Sequence, residues 1–158
     1  MEDKKIIIFT CENEEYGIPV EQVISIEKIE TLTEVPNLPT SVKGIVSIRD
    51  ELLPVIDLGI CFFERPTDLD RSNQIILVNT ERLSLALLVG EVKELHDVAP
   101  EQWHEPEILS YQKPAYFSGI AAIEQRLILL LDIERLVENL DIDAIENVLK
   151  EKFAAEIG

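Results

Sequence analysis

Gly44-Ile45-Val46-Ser47-Ile48-Arg49-Asp50-Glu51-Leu52-Leu53-Pro54-Val55-Ile56-Asp57-Leu58 is the stretch whose reading decides the fold. Two apolar, β-branched runs flank a short charged turn, which is the pattern of an antiparallel hairpin. Asp57 then stands where a helix N-cap is expected, because Leu58, Cys61 and Phe62 follow at helical spacing. The stretch occurs twice. At an offset of 75, Pro39, Gly44, Ile45, Ile48, Leu52 and Asp57 fall on Pro114, Gly119, Ile120, Ile123, Leu127 and Asp132. Val42/Phe117, Leu53/Ile128, Val55/Leu130 and Leu58/Ile133 are similar pairs at the same offset. An internal repeat outranks any local propensity as a guide to architecture.

A weaker match at an offset of 69 sets Tyr16, Val20 and Val23 against Leu85, Val89 and Val92. Each half therefore holds a three-strand front and a two-strand back, and the six extra residues belong to a longer loop around Pro100 to Lys113. The strands expected are Lys5–Thr10, Glu15–Val20, Val23–Ile29, Gly44–Ile48, Leu52–Ile56, Gln74–Asn79, Leu83–Val89, Val92–Asp97, Ser118–Ile123 and Leu127–Leu131. The turns at Glu12–Glu14, Arg49–Glu51, Thr80–Arg82 and Glu124–Arg126 are short enough to close antiparallel hairpins. The fold class is mainly β, two related five-stranded units joined by the polar segment Glu64 to Ser72, with the second half starting at about residue 73. Two such units side by side leave a groove between them. Helix signals gather at the end of the chain. Asp132 precedes Ile133, Leu136, Val137 and Leu140, while Asp143 and Glu146 resemble a capping box ahead of Ile145, Val148, Leu149 and Phe153.

Working outward to the whole chain, 158 residues with 46% hydrophobic content and a mean hydropathy of +0.09 describe a globular protein able to bury a core. The formal net charge of −17 repels phosphate backbones and anionic headgroups, which argues against nucleic-acid binding and polybasic membrane binding. No apolar run approaches the ~20 residues of a membrane span, and Met1 to Phe9 lacks the h-region and cleavage site of a signal peptide. A cytoplasmic protein is expected, with no direct membrane insertion and with Cys11 and Cys61 as buried, reduced thiols.

Catalytic readings fare poorly. Duplicated aspartates invite an aspartic-protease dyad, but Asp57 runs into Leu58-Gly59-Ile60 and Asp132 into Ile133-Glu134-Arg135, where that chemistry needs a small hydroxyl residue and glycine on a tight loop. Helix capping accounts for both. Neither cysteine stands near His96 or His104 in sequence with a third orienting group, and the cysteines lie 50 residues apart without paired metal-ligand spacing. No glycine-rich phosphate loop is present. No cofactor and no metal are expected. Arg49, at a hairpin tip on a very acidic chain, is either an ion-pair partner of Asp50 or Glu51 or a contact offered to another protein.

The run from Gly44 to Leu58 resembles the signature of the CheW family of bacterial chemotaxis coupling proteins: Gly, two residues, Asn, one residue, Arg-Gly, three residues, Pro-Val, one residue, Asp-Leu. The likeness extends through Phe9, Tyr16-Gly17-Ile18, Val23 to Ile26, Thr33 to Pro39, Leu87-Leu88-Val89 and Phe117 to Val137. It implies two SH3-like five-stranded β-barrels, intertwined units of one CheW-like domain over residues 1–140, followed by a C-terminal α-helix over 141–158. It further implies a non-enzymatic adaptor that couples the cytoplasmic tip of methyl-accepting chemoreceptors to the regulatory domain of a CheA-type histidine kinase, at receptor arrays on the inner face of the membrane. By the same resemblance Val23, Ile26, Ile75 and Leu95 line the inter-barrel groove that receives a receptor helix, and Arg49 marks the family's sensitive turn. Four positions depart from the pattern: Ser47 replaces Asn, Asp50 replaces Gly, Ser25 stands where many members carry Glu, and Gly90 where many carry Asp. These changes leave open an adaptor of a pilus-motility or other non-flagellar chemosensory system. A generic peptide-binding barrel module is the weaker alternative, since such modules line their groove with aromatics and the nine here look scattered.

Overall fold

The computed structural model describes residues 3–29, 31–69, 73–104 and 116–157, with side chains as far as Glu151. Eleven strands and three α-helices follow in the order β1 (Lys4–Cys11), β2 (Glu14–Pro19), β3 (Val23–Lys28), β4 (Val42–Ile48), β5 (Glu51–Asp57), α1 (Leu58–Phe63), β6 (Gln74–Asn79), β7 (Ser84–Val89), β8 (Val92–Val98), β9 (Trp103–His104), β10 (Phe117–Ile123), β11 (Arg126–Leu131), α2 (Ile133–Glu138) and α3 (Ile142–Ile157). All ten expected strands are present within two residues at either end. Only the two-residue β9 went unread. The repeat partner Pro114, residues 105–113 of the long loop and residues 70–72 of the linker lie outside the described residues.

The strands form two sheets, β8-β1-β2-β11-β10-β9 and β3-β6-β7-β5-β4. The halves are not laid side by side as separate units, because each sheet draws on both of them. Sheet one takes its leading hairpin β1–β2 from the first half and the rest from the second; sheet two takes β6–β7 from the second half and β3, β4 and β5 from the first. The back hairpin of each half therefore joins the front of the other through a parallel pairing, Val55 against Ala86 in one sheet and Leu130 against Gly17 in the other. Those two pairs are related by the same offsets of 75 and 69 that relate the sequences.

The correspondence reaches individual registers. Gly44 faces Val55 just after a bulge at Val42, and Gly119 faces Leu130 just after a bulge at Phe117. Asp57 N donates to Ser41 O and Asp132 N to Tyr116 O, both at 2.8 Å. Glycine is required at both repeat positions by the chain that crosses them: a Cβ on Gly44 would sit 2.4 Å from Thr33 O, and one on Gly119 2.8 Å from His104 O. Those carbonyls belong to the Thr33–Ile45 bridge and to the β9–β10 pairing.

Three cores follow from the exchange. One sheet curls around Ile6, Ile8, Val98, Ala121, Ile123, Ile128 and Leu130. The other curls around Val46, Leu53, Val55, Ile75, Leu77, Ala86 and Leu88. The hydrogen-bonded order leaves both sheets open at the edges, so curling and not closure makes each barrel. Between the sheets lies the largest cluster, including Phe9, Tyr16, Ile18, Ile56, Leu87, Phe117 and Leu131, sealed at one end by Ile142, Ile145 and Leu149 of α3. The aromatics are less scattered than the sequence suggests. Phe9, Tyr16, Phe62, Tyr116 and Phe117 gather in this shared core, with Tyr16 and Phe62 centroids 4.8 Å apart.

Both repeat aspartates cap helices. Asp57 Oδ1 accepts from Gly59 N and Ile60 N, and Asp132 Oδ1 from Glu134 N and Arg135 N. The terminal helix is capped two residues before the expected Asp143: Asp141 is its cap, accepting from Ala144 N at 3.1 Å, while Asp143 lies in the first turn and pairs with Arg82. Among the described residues no helix is long and apolar enough to cross a membrane.

Candidate protein-interaction surface

Three of the hairpins use a two-residue turn with both residues left-handed: Glu12-Asn13, Arg49-Asp50 and Glu124-Gln125. That twist matches the right-handed twist of the flanking strands. At the signature turn φ is 52° for Arg49 and 67° for Asp50, so Asp50 adopts the conformation that glycine supplies in the usual pattern and the turn is not rebuilt. The geometry throws the Arg49 side chain outward, leaving it 72% exposed. Its charge does not fold back onto Asp50 or Glu51; Nη2 lies 3.5 Å from Glu27 Oε2 on β3. Ser47 is exposed on the same hairpin. Glu27, Lys28, Thr31, Thr33, Ser47 and Arg49 rim an open cleft of about 470 Å³ between the hairpin and the end of β3. Nothing in the sequence pattern pointed to Glu27 as the partner, because that contact depends on how sheet two curls.

The groove residues separate. Val23 begins β3, half-buried against the shared core. Ile26 is 36% exposed on β3 and Leu95 58% exposed on β8. These two occupy equivalent places, since β3 and β8 are the edge strands of the two sheets and each carries the same bulge, at Val23/Ser25 and opposite Ile8/Phe9. Ile75 does not join them. It is fully buried inside the core of sheet two, as its repeat mate Ile6 is in sheet one, and cannot touch a partner. Ser25 sits half-buried on β3 with Oγ lacking a hydrogen-bond partner among the described residues. Gly90 leaves room for Thr10, whose Oγ1 would lie 2.6 Å from an added Cβ and instead accepts from Glu91 N at 3.0 Å.

The remaining polar chemistry is structural. Asp57 is fully buried, and beyond its capping bonds Oδ2 accepts from Thr67 N at 3.0 Å, Oδ1 accepts from Thr67 Oγ1 at 2.5 Å, and Lys43 Nζ lies 3.4 Å away. Lys43 Nζ also donates to Thr67 O at 2.8 Å, so the start of the linker is tied down on the first repeat's cap. Cys11 is buried and Cys61 half-buried, both as free thiols. Burial pushes each thiol up to about 12, with the Asp57 charge adding to the effect, which opposes formation of a nucleophilic thiolate. Among the described residues no group of His, Cys, Asp and Glu is arranged to hold a metal.

A CheW-like domain profile matches residues 5–141. The chain belongs to the CheW-like family. It is 29% identical over 148 residues to a chemotaxis protein CheW of Klebsiella aerogenes, covering 93% of this chain and 89% of that protein. A CheW of Bacillus subtilis is 28% identical over 142 residues, 90% of this chain and 86% of that one. Among solved structures, the scaffolding protein TtCheW of Thermoanaerobacter tengcongensis superposes with a TM-score of 0.76 at 26% identity, over 84% of this chain and 90% of that chain. As a CheW-like protein, this chain is a chemotaxis coupling adaptor.

Proposed function

We propose that this CheW-like adaptor bridges the cytoplasmic tip of a methyl-accepting chemoreceptor and the regulatory domain of a CheA-type histidine kinase, acting in the cytoplasm without catalysing a reaction. The family is one of non-enzymatic adaptors, and the inert thiols and capping aspartates fit that role. The kinase-facing surface is the β4–β5 hairpin with Ser47, Arg49 and Asp50. The receptor-facing surface is formed by the edge strands, with Val23, Ser25 and Ile26 on β3 and Leu95 on β8. The observation that carries the reading is Arg49: an exposed cation held at the tip of a rigid left-handed turn, above a cleft, on a chain of net charge −17.

The test is Arg49→Ala. Its ion pair with Glu27 is exposed and worth little, so folding stability moves by about 0.5 kcal/mol or less. Binding suffers more, because interfaces concentrate energy in a few residues with arginine prominent among them; a loss of about 2 kcal/mol is roughly thirtyfold in affinity. Calorimetry against the cognate regulatory domain and a receptor-tip fragment, beside thermal melts, separates the two effects. A variant that melts normally and binds both partners unchanged removes Arg49 from the interface.

A further inference from the structure

The outer stripe of each back strand faces the shared core, and at its far end the two repeats part company. In the first, Leu52 lies beneath α3, and Leu149 and Lys150 face Asp50, Glu51 and Leu52 across a groove of about 290 Å³. Arg82, beside this site, holds the first turn of that helix through Asp143 and Glu146. In the second, the equivalent residue is Leu127, in the same register, opposite Ala122 as Leu52 is opposite Ser47. Nothing covers it. Leu127 is 72% exposed, the most exposed large apolar side chain among the described residues. The helix occurs once and the surface it covers occurs twice.

We infer that the β10–β11 hairpin is a docking surface for one amphipathic helix of a partner protein, seated over Leu127 as α3 is seated over Leu52. The rim says which helix fits. At the offset of 69, Leu83 and Arg82 beside the first site are replaced by Glu14 and Asn13; at the offset of 75, Arg49 at the first hairpin tip is replaced by Glu124, and Asp50 and Glu51 by Gln125 and Arg126. Arg126 is already engaged by Glu15 at 3.2 Å and Glu94 at 3.1 Å. The open site is thus apolar at its centre and acidic around it, the reverse of the charge that Arg82 presents to α3. The occupant carries an apolar residue flanked by lysine or arginine. A second copy of α3 seated in the same way does not fit, since its Asp143 and Glu146 would exchange Arg82 for Asn13 with Glu14 beside it.

The probe is a synthetic peptide of residues 141–157 carrying Asp143→Lys and Glu146→Lys, compared with the unaltered peptide, each titrated into the full-length protein labelled for NMR at low salt. The altered peptide is expected to bind with shifts centred on β10, β11 and Glu14, at least tenfold more tightly than the unaltered one. Leu127→Asp in the protein should weaken it at least tenfold, and Glu14→Lys should weaken it further, while both variants melt like the parent because the sites are exposed. Shifts centred on Leu52 and Leu83, equal affinity for the two peptides, indifference to Leu127→Asp, or no binding at millimolar peptide would each overturn the inference.

Discussion

Replacing Gln125 by glycine should stabilise the fold, and replacing Asp50 by glycine should do so much less. The two residues occupy the same position in repeated two-residue turns, with φ of 91° and 67°. For an ordinary side chain the left-handed region costs roughly 1–2 kcal/mol, and that strain is released when Cβ is removed. Against it stands the greater freedom of glycine in the unfolded chain, roughly 0.5–1 kcal/mol. For Gln125 the balance favours glycine by about 0.5–1 kcal/mol, since its side chain is exposed and loses no described contact. Aspartate tolerates the left-handed region far better than glutamine, so for Asp50 the terms nearly cancel and the change stays within about 0.5 kcal/mol. In a chain of this size a gain of about 1 kcal/mol raises Tm by roughly 2–4 °C. Thermal and urea melts of the two variants beside the parent measure this, with an unchanged denaturant slope showing that the native and unfolded ensembles are comparable. A Gln125→Gly variant that melts at or below the parent, or an Asp50→Gly variant that gains more than Gln125→Gly, would refute the argument.

The two capping aspartates provide a second internal comparison. Asp57→Ala strands Lys43 and the Thr67 donors around a fully buried site and should cost about 3 kcal/mol, whereas Asp132→Ala removes a half-exposed cap and should cost about 1 kcal/mol; equal losses in urea melts would contradict the assigned networks. Stability should also fall at alkaline pH. Cys11, Cys61 and Tyr16 are all raised to about 12 by burial, so the fold favours their neutral forms; the unfolded thiols ionise near 9, and stability present below that pH is lost progressively as pH rises towards 12. The urea midpoint is expected to drop between pH 8 and pH 10, with a smaller drop in Cys11→Ala, and a midpoint that is flat in that range would show the thiols are not protected.

Much of the fold is legible because apolar runs, turns and a repeat all survive in the sequence. What is not legible is set by tertiary choice. Offsets of 75 and 69 are the same whether each half closes on itself or the halves trade hairpins, and only the parallel pairings of Val55 with Ala86 and Leu130 with Gly17 decide between them. Ile75 belongs to the run Ile75-Ile76-Leu77-Val78, which has no polar face to reveal its orientation; β6 is buried on both sides, with Ile75 and Leu77 in one core and Ile76 and Val78 in another. Asp143 reads as the cap because Glu146 follows at capping-box spacing, but the bonds from Ile145 N to Asp141 O and from Ala144 N to Asp141 Oδ1 put the cap two residues earlier. Trp103-His104 is too short to show any period, and its pairing with β10 rests on the carbonyl approach that Gly119 permits. Of the residues proposed for interaction, Arg49 is visible in the sequence as the base at a hairpin tip, while Glu27 and Leu127 acquire meaning only once the sheets are assembled.

The exchange of hairpins bears on how such an adaptor can couple two partners. Had the halves folded separately, the linker after α1 would act as a hinge, and strain at one partner's surface would dissipate in rotation. Here the first half supplies the leading hairpin of sheet one and three strands of sheet two, so rotating one sheet against the other requires opening the shared core around Phe9, Tyr16, Phe117 and Leu131. The linker's own start is pinned by Thr67 on buried Asp57. Between the two surfaces proposed for the partners, coupling would therefore run through a body that keeps its shape: the Arg49 hairpin on sheet two and the Leu95 edge of sheet one hold a fixed relation, so that a change in one partner would be passed on as displacement of the whole adaptor against the other.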